Sequence, residues 1–232
     1  MPGKIYGVGV GPGDPELLTL KAARLIRKAD VLAIPAADRE SCAAYRIASG
    51  AVEGLETKEV LPVVFPMTKD PEVLEESHEN AKKEIAGLLD KEKNVVFLTL
   101  GDPTVYSTYL YVHRRLVSMG YEAEIVSGVP SFCAAAARLS VSLGEKAEAI
   151  HILPGSYPVE AGLSLSGTKV LMKSGKQIRN VKEKLLEMGK NAVMAENCGM
   201  DGERLAYKTE DIPEDAGYYT LMIVKDGEEA VR

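Results

Sequence analysis

The amino-acid sequence predicts an α/β protein of two domains, one over residues 1–128 and one over residues 129–232. Two observations predict this fold class. In the first half, short apolar runs typical of strands alternate with segments of helical periodicity, which indicates a mostly parallel sheet with helices on both faces. In the second half, several strand-like runs follow one another across turns, which indicates a mixed sheet with helices.

Five apolar runs of the first half predict strands, and four segments predict helices. The first helix is expected to begin at Pro15, because Asp14 is a suitable N-cap and proline is favoured at the first helical position. Pro62 cannot donate to a sheet ladder, so its strand is expected at an edge. The predicted strands are residues 4–10, 30–34, 59–64, 94–100 and 121–126, and the predicted helices are residues 15–25, 41–49, 71–93 and 103–119.

The second half opens with Gly128-Val129-Pro130 and a helix rich in small residues. Its later strands are mostly separated by turns, so the change of rhythm near residue 128 is the predicted domain boundary. The predicted strands are residues 149–153, 168–172, 192–196, 204–208 and 218–224, and the predicted helices are residues 131–139 and 176–188.

The composition is that of a globular chain, with 46% hydrophobic and 27% charged residues among 232. The net charge of −6 argues against nucleic acid as the main partner, because phosphate backbones require clustered Lys and Arg. No apolar run approaches the ~20 residues of a membrane span, and the N-terminus lacks the pattern of a secretory signal. We expect a cytoplasmic protein that binds neither nucleic acid nor a membrane.

The three cysteines, Cys42, Cys133 and Cys198, are far apart in the sequence and form no CxxC pair. The three histidines form no HExxH motif. We therefore expect reduced, mostly packed cysteines and no metal bound by the protein. P-loop and GxSxG motifs are also missing, which favours chemistry that needs neither a metal nor a covalent nucleophile.

A glycine-rich loop follows the first predicted strand. A dinucleotide fingerprint needs glycines at offsets zero, two and five, but the third position is Pro12 when counted from Gly7 and Asp14 when counted from Gly9. Alternate glycines instead let a flat ligand or a neighbouring backbone approach closely. A tight turn without any ligand explains the loop equally well.

Two more loops follow predicted strands, LGDPTVY at residues 100–106 and SGVPSF at residues 127–132. Ligands of parallel sheets bind at the carboxyl ends of strands, so Asp102 is placed to accept hydrogen bonds from a ribose or an amino group. The alternative is that Asp102 caps a helix that begins at Pro103, and both roles are compatible. Ser131 is a natural N-cap for the next helix.

Together, the three loops in this order resemble the tetrapyrrole methylases, enzymes of cobalamin and sirohaem synthesis that use S-adenosylmethionine. The segments YGVGVGPGDPELLTLKA, LGDPTVYST and SGVPSF, with FPM at residues 65–67 and VLMKSGK at residues 170–176, are similar to the precorrin-2/cobalt-factor II C(20)-methyltransferase branch. The resemblance covers essentially the whole chain. It implies two α/β domains with the active site in the cleft between them, usually in a homodimer.

The resemblance also implies the site residues and the reaction. A methyl group would pass from S-adenosyl-L-methionine to a meso carbon of the tetrapyrrole, leaving S-adenosyl-L-homocysteine. Tyr106 is a candidate to orient the ring or the cofactor, although it is as readily a packing residue. Cys198 lies in ENCGM, which departs from the family's commoner small-residue pattern. The cofactor-binding residues implied are Val10, Gly101, Asp102, Val105, Tyr106, Ser131, Phe132, Met172, Cys198, Tyr219 and Thr220.

The carboxylates of such a substrate need local positive charge, for which Arg39, Arg46 and Lys173 are candidates, each also explicable as a solvated surface charge. The substrate is cobalt-factor II or metal-free precorrin-2, with cobalt-factor II favoured; any cobalt would arrive within the substrate. Three other functions remain open: a methylase of the same fold acting elsewhere on the ring or on another substrate, a nicotinamide-dependent oxidoreductase, and a non-catalytic tetrapyrrole carrier.

Overall fold

The computed structural model of the protein describes residues 1–155 and 159–226. The chain divides into two compact units, Met1–Pro130 and a second that begins at Ser131. Each unit is built around its own five-stranded sheet.

The first unit contains a wholly parallel sheet with the strand order β3-β2-β4-β1-β5. Its predicted strands are confirmed to within one or two residues, and the strand that contains Pro62 lies at the sheet edge as expected. The strands are β1 Ile5–Gly9, β2 Val31–Ile34, β3 Glu59–Pro62, β4 Val95–Thr99 and β5 Ala123–Val126, and the helices are α1 Leu20–Lys28, α2 Ala43–Ala51, α3 Pro71–Leu89 and α4 Tyr109–Ser118.

Helices cover both faces of this sheet. Val8 and Leu32 point to one face and pack in a core shared with α1 and α2. Val31 and Phe97 point to the opposite face and pack with α3 and α4. The near-continuous apolar strands therefore have the burial expected of a parallel sheet that is covered on both sides.

The FPM segment anchors the chain that follows β3. The Phe65 ring lies 5.7 Å from the ring of His78 on α3 and 6.3 Å from the ring of Phe97 on β4, measured between centroids. Phe65 thus packs in the core under α3, whereas Met67 is exposed. Packing accounts for the phenylalanine of this motif.

The predicted start of the first helix is wrong. Asp14 does act as a cap, but of a single 3₁₀ turn over Pro15–Leu17, and Leu18 is extended. The helix α1 begins only at Leu20, where the Thr19 hydroxyl accepts a hydrogen bond from the Ala22 N–H at 3.2 Å. The apolar periodicity continues across residues 15–25 and so predicts one helix. The second capping residue, Thr19, separates this segment into a 3₁₀ turn and the helix α1.

The predicted start of the fourth helix is also wrong. The Asp102 side chain bonds to Thr104 in a local turn, and Tyr106 has a φ of +47°, which interrupts any helix that begins at Pro103. The helix α4 begins at Tyr109. The intervening residues form a loop at the carboxyl end of β4.

The second unit contains a mixed sheet with the order β6-β7-β10-β8-β9, in which β6 and β7 are parallel and the other three pairs are antiparallel. This arrangement confirms the mixed sheet predicted for the second half. The sequence pattern did not predict the short α6. The strands are β6 Ile150–Pro154, β7 Thr168–Met172, β8 Asn191–Glu196, β9 Arg204–Ala206 and β10 Thr220–Lys225, and the helices are α5 Ser131–Leu139, α6 Glu160–Leu163 and α7 Ile178–Glu187.

Candidate functional site

Two glycines join the loops at the carboxyl ends of β1 and β4. The Gly11 N–H donates to the Gly101 carbonyl at 3.3 Å, and the Gly101 N–H donates to the Gly11 carbonyl at 2.8 Å. Both residues are left-handed, with φ of +81° and +70°, a conformation that side chains with a Cβ adopt at a cost. The loop geometry therefore explains why glycine occurs at both positions.

The alternate glycines of β1 make room for protein atoms. A Cβ on Gly9 would lie 2.5 Å from the Gly101 carbonyl oxygen and 2.6 Å from the Gly128 nitrogen. A Cβ on Gly7 would lie 1.9 Å from the ring of Tyr109. Backbone atoms of neighbouring loops therefore pack against Gly9, and an aromatic ring packs against Gly7. The space that the missing side chains leave is filled by the protein itself at both positions.

Asp102 connects the loop after β4 to the loop after β5. Its side chain is buried, with Oδ1 accepting from the Thr104 N–H at 2.7 Å and from the Thr104 hydroxyl at 2.5 Å, while Oδ2 accepts from the Gly128 N–H at 3.1 Å. A carboxylate offers about four acceptor positions. Loop closure thus occupies most of the hydrogen-bonding capacity of this side chain.

The loop after β4 also presents a half-exposed tyrosine. Tyr106 is left-handed, a conformation that costs a non-glycine residue about 1–3 kcal/mol and that clusters at functional sites. Val105 before it is partly buried, and Val10 at the end of β1 is fully buried. The loop after β4 thus exposes an aromatic ring, and the role of Tyr106 in orienting the ring or the cofactor stays a prediction.

In the second unit, antiparallel pairing brings two strand ends and one strand start to the same sheet edge. Met172, the last residue of β7, lies opposite Leu221, and Glu196, the last residue of β8, lies opposite Thr220. Lys173 follows β7 directly and has a φ of +60°. Strand-end residues of this unit thus lie at one edge of its sheet, as Val10 and Gly101 do in the first unit.

An aromatic pair lies at this second edge. The rings of Tyr218 and Tyr219 are 5.3 Å apart between centroids at an interplanar angle of 73°, and the Lys173 Nζ is 5.8 Å from the centroid of the Tyr218 ring. Both tyrosines keep about two-fifths of their surface exposed (41% and 43%). Two rings and a cation are suited to a flat ligand that carries negative groups.

The comparison with known proteins identifies the family. The family model described as Tetrapyrrole (Corrin/Porphyrin) Methylases matches residues 4–212. The chain belongs to the tetrapyrrole methylase family. This confirms the resemblance carried by the three loops.

Two relatives among the tetrapyrrole methylases are similar over most of the chain. A probable cobalt-precorrin-2 C(20)-methyltransferase of Methanocaldococcus jannaschii is 40% identical over 78% of this chain and 75% of its own length. A precorrin-2 C(20)-methyltransferase of a Sinorhizobium species is 30% identical over 96% of this chain and 95% of its own length.

A solved tetrapyrrole methylase supports the fold. The uroporphyrin-III C-methyltransferase of Thermus thermophilus, crystallised with S-adenosylhomocysteine, superposes with a TM-score of 0.71 at 24% identity, over 97% of this chain and 98% of that one. With the parallel and mixed sheets described above, this likeness confirms the predicted α/β fold of the tetrapyrrole methylases.

The positions predicted to bind the cofactor of a tetrapyrrole methylase fall into two groups. Each group lies within one unit, and the cofactor role of every member stays a prediction. Ser131 is the first residue of α5, and Phe132 follows it in the same turn. The first group is Val10, Gly101, Asp102, Val105 and Tyr106, and the second is Ser131, Phe132, Met172, Cys198, Tyr219 and Thr220.

Two of the three residues predicted to bind substrate carboxylates, Arg39 and Arg46, donate hydrogen bonds to backbone carbonyls of this chain. The Arg39 guanidinium donates to the carbonyls of Glu56 at 2.7 Å and Lys58 at 2.6 Å, and Arg46 donates to the carbonyl of Glu40 at 2.6 Å. The bonds from Arg39 join the loop between β2 and α2 to the segment that precedes β3, and the bond from Arg46 joins α2 to the same loop. A role in substrate binding stays a prediction for both arginines.

Sequence reasoning missed residues that connect the predicted ones. The sequence pattern marks Gly128 only as a residue that opens a helix, although its N–H donates to the Asp102 carboxylate. Tyr218 is adjacent to the predicted Tyr219, so the tyrosine doublet was an available signal. Glu196 lies in ENCGM, but nothing in the sequence indicates which groups its carboxylate meets.

The cysteines of this tetrapyrrole methylase are less packed than expected. Only Cys42 is buried, whereas Cys198 is partly exposed and Cys133 is exposed, because Cys133 lies on the outer side of α5. Within residues 1–155 and 159–226, no group of three or more His, Cys, Asp or Glu side chains is placed to hold a metal ion. The helices of the same residues include none long and apolar enough to span a bilayer.

Proposed function

We propose that this protein methylates the C(20) meso carbon of cobalt-factor II or precorrin-2 in cobalamin biosynthesis, with S-adenosyl-L-methionine as the methyl donor. The observation that carries the proposal is the identity of 40% to a probable cobalt-precorrin-2 C(20)-methyltransferase over most of both chains. Within the family, this likeness favours C(20) over other ring positions.

The residues at the two strand edges fit such a cofactor. A sulfonium ion is stabilised by carboxylates and aromatic faces and is disfavoured by cations. The loop at residues 100–106 carries Asp102 as its single charged residue and exposes the ring of Tyr106. Tyr219 keeps 43% of its surface exposed, and its ring offers an aromatic face that suits an adenosine.

When bound, S-adenosylmethionine supplies an electrophilic methyl group. The chain's own contribution is positioning, which can provide about 7–11 kcal/mol of a bimolecular barrier. In this proposal Tyr106 orients the cofactor or the ring. The strained backbone at Tyr106 supports this assignment.

Lys173 is the proposed partner of a substrate carboxylate. Its ammonium lies at the Tyr218 ring, and both residues belong to the edge that carries Met172 and Thr220. Arg39 and Arg46 already donate hydrogen bonds to backbone carbonyls, so the proposal gives Lys173 precedence over them as the residue that binds a substrate carboxylate. We further propose a homodimer in the cytoplasm, as the family resemblance implies.

The decisive experiment is an anaerobic assay with methyl-labelled S-adenosylmethionine that offers cobalt-factor II and metal-free precorrin-2 in parallel. We expect label at C(20) of one substrate, located by NMR. Label at another carbon would contradict the ring position. Binding of a tetrapyrrole without any methyl transfer would support a carrier, and binding of a nicotinamide cofactor would support an oxidoreductase.

A matched pair of tyrosine variants tests the role of Tyr106. Tyr106 and Tyr111 have similar exposed fractions, 48% and 49%, and lie in the same unit. We expect Tyr106→Ala to lower kcat/KM by about tenfold or more, because the positioned ring is lost. Tyr111→Ala serves as the control, with kinetics close to those of the wild type. Equal kinetics in the two variants would assign Tyr106 to packing.

A further inference from the structure

A buried carboxylate lies at the end of β8 next to the predicted cofactor-binding strand. Glu196 is only 5% exposed. Its Oε1 accepts a hydrogen bond from the Gly217 N–H, and its Oε2 accepts one from the Arg204 Nε. A carboxylate this buried needs such partners to offset the loss of its hydration. Glu196 therefore connects β8 to the turn that precedes β10.

Arg204 extends this connection to a second point of the same turn. It lies opposite Glu196 across the β8–β9 pair. Its Nη1 donates to Asp215 Oδ1 at 2.8 Å and its Nη2 donates to the Asp215 carbonyl at 3.4 Å. The side-chain bond from Arg204 holds the pKa of Asp215 below its usual value. The turn at residues 215–217 is thus held at both of its ends.

The turn leads directly into Tyr218, Tyr219 and Thr220. The Thr220 hydroxyl donates to the Gly217 carbonyl at 2.7 Å, and the Thr220 carbonyl accepts from the Ser174 N–H at 3.1 Å. A Cβ on Gly175 would lie 1.9 Å from the Gly217 carbonyl oxygen. The turn therefore packs closely against the loop that follows Lys173.

We propose that Glu196 and Arg204 are positioning residues that hold the turn at residues 215–217 so that Tyr219 and Thr220 meet the cofactor. The inference rests on the proposed function, because it assumes that Tyr219 and Thr220 bind S-adenosylmethionine. Neither charged side chain touches the cofactor in this proposal. They act through the backbone of Gly217 and Asp215.

The expected effect of losing this network is a shift of the Tyr219 and Thr220 main chain. Such a shift weakens the contacts that these two residues would make with the cofactor, because hydrogen bonds depend steeply on distance and angle. Glu196→Gln keeps an acceptor for the Gly217 N–H but loses the ion pair with Arg204. Asp215→Asn removes only the outer, exposed ion pair, so it is the milder variant and should fold readily.

The opposite end of β10 provides a matched control. There Asp226 accepts from the buried Lys169 at 2.6 Å, from Lys190 at 2.8 Å and from the Gly167 N–H at 2.7 Å. The loss of Asp226 removes a carboxylate with a similar number of bonds in the same sheet. Asp226→Asn should therefore lower stability without moving Tyr219 or Thr220.

The test measures S-adenosylhomocysteine affinity by titration calorimetry and stability by thermal unfolding for the wild type and the three variants. We expect Glu196→Gln to weaken binding about tenfold and Asp215→Asn about threefold, with KM for S-adenosylmethionine raised more than kcat is lowered. Asp226→Asn should lower the unfolding midpoint while its affinity stays within about twofold of the wild type.

Wild-type affinity in both Glu196→Gln and Asp215→Asn would overturn the inference alone. The inference would also be overturned if Asp226→Asn weakened S-adenosylhomocysteine binding in proportion to its loss of stability. A general loss of stability would then explain the effect of every variant. A wild-type protein that binds no S-adenosylhomocysteine would overturn the proposed function and this inference with it.

Discussion

The carboxylate of Asp102 accepts a hydrogen bond from the backbone N–H of Gly128 at 3.1 Å, 26 residues further along the chain. The bond crosses the end of β1, because β1 lies between β4 and β5 in the sheet. Gly9 lies directly beneath, where a Cβ would meet atoms of both loops. The buried side chain of Asp102 thus joins the loop after β4 to the loop after β5, and both loops pack against Gly9 at the end of β1.

Asp102→Ala should lower the free energy of unfolding by about 1.5–3 kcal/mol, because the N–H groups of Thr104 and Gly128 lose a charged acceptor. Cofactor affinity should fall together with stability. Chemical unfolding and calorimetric titration with S-adenosylhomocysteine measure the two effects. Lost affinity at unchanged stability would instead assign the carboxylate to the ligand.

Gly9→Ala should abolish or severely reduce folding and cofactor binding. The added methyl group would lie 2.5 Å from the Gly101 oxygen, and backbone atoms cannot move aside cheaply. Gly87→Ala is the matched control, because a Cβ at this exposed position in α3 meets nothing within 4 Å. That variant should be more stable by up to about 1 kcal/mol. Circular dichroism melts compare the two, and similar midpoints would contradict the steric argument.

Thr99→Val should leave the protein as stable as the wild type or stabilise it by about 1 kcal/mol. The Thr99 hydroxyl is buried and has no hydrogen-bond partner within the described parts of the chain, and replacing such a group by a methyl removes a desolvation cost. Urea unfolding measures the change. A clear loss of stability would show that a buried water satisfies this hydroxyl.

His78 makes stability depend on pH. Its ring is buried and stacks on Tyr111 at 4.7 Å, and its Nε2 has no hydrogen-bond partner among the residues that the structure describes. Burial and the charge of Arg115 hold the pKa of His78 below its usual value of 6.5, against the opposing effect of Glu75. The folded state therefore prefers the neutral ring.

Because the pKa is lower in the folded state, this contribution to stability is fully present above pH 6.5 and is lost as pH falls. The loss from one group is at most about 1.4 kcal/mol per pH unit. His78→Phe should reduce the drop in unfolding free energy between neutral pH and about pH 5. Urea unfolding at several pH values measures it, and parallel profiles for the two proteins would contradict the assignment.

Arg39→Ala should lower stability by about 1 kcal/mol, because the carbonyls of Glu56 and Lys58 lose a partly buried cationic donor. Arg24→Ala, an exposed position on α1, is the control. Steady-state kinetics decide the predicted substrate role: a raised KM at constant kcat would support it. An unchanged KM beside lower stability would assign Arg39 to the loop alone.

The fold was largely predictable because its strands are short apolar runs with turn residues at both ends. The strand β7 was predicted to the residue, and β4 to within one residue, since each is buried on both faces. The helix starts at Pro15 and Pro103 were predicted wrongly. In each case the apolar periodicity continues past the point where the helix is interrupted. Thr19 caps a new helix after Pro15, and the left-handed backbone of Tyr106 prevents a continuous helix after Pro103.

The family, the α/β class and the loops that carry the predicted site can be read from the amino-acid sequence, because glycine spacing and apolar periodicity are local properties of the chain. The hydrogen bond from Gly128 to Asp102, the bonds from Arg39 to two carbonyls and the support that Glu196 gives to the turn before Tyr219 become visible only in the folded chain. The physical reason is that a polar side chain binds whatever donor or acceptor the fold brings within about 3 Å, and sheet order, not sequence distance, decides which group that is.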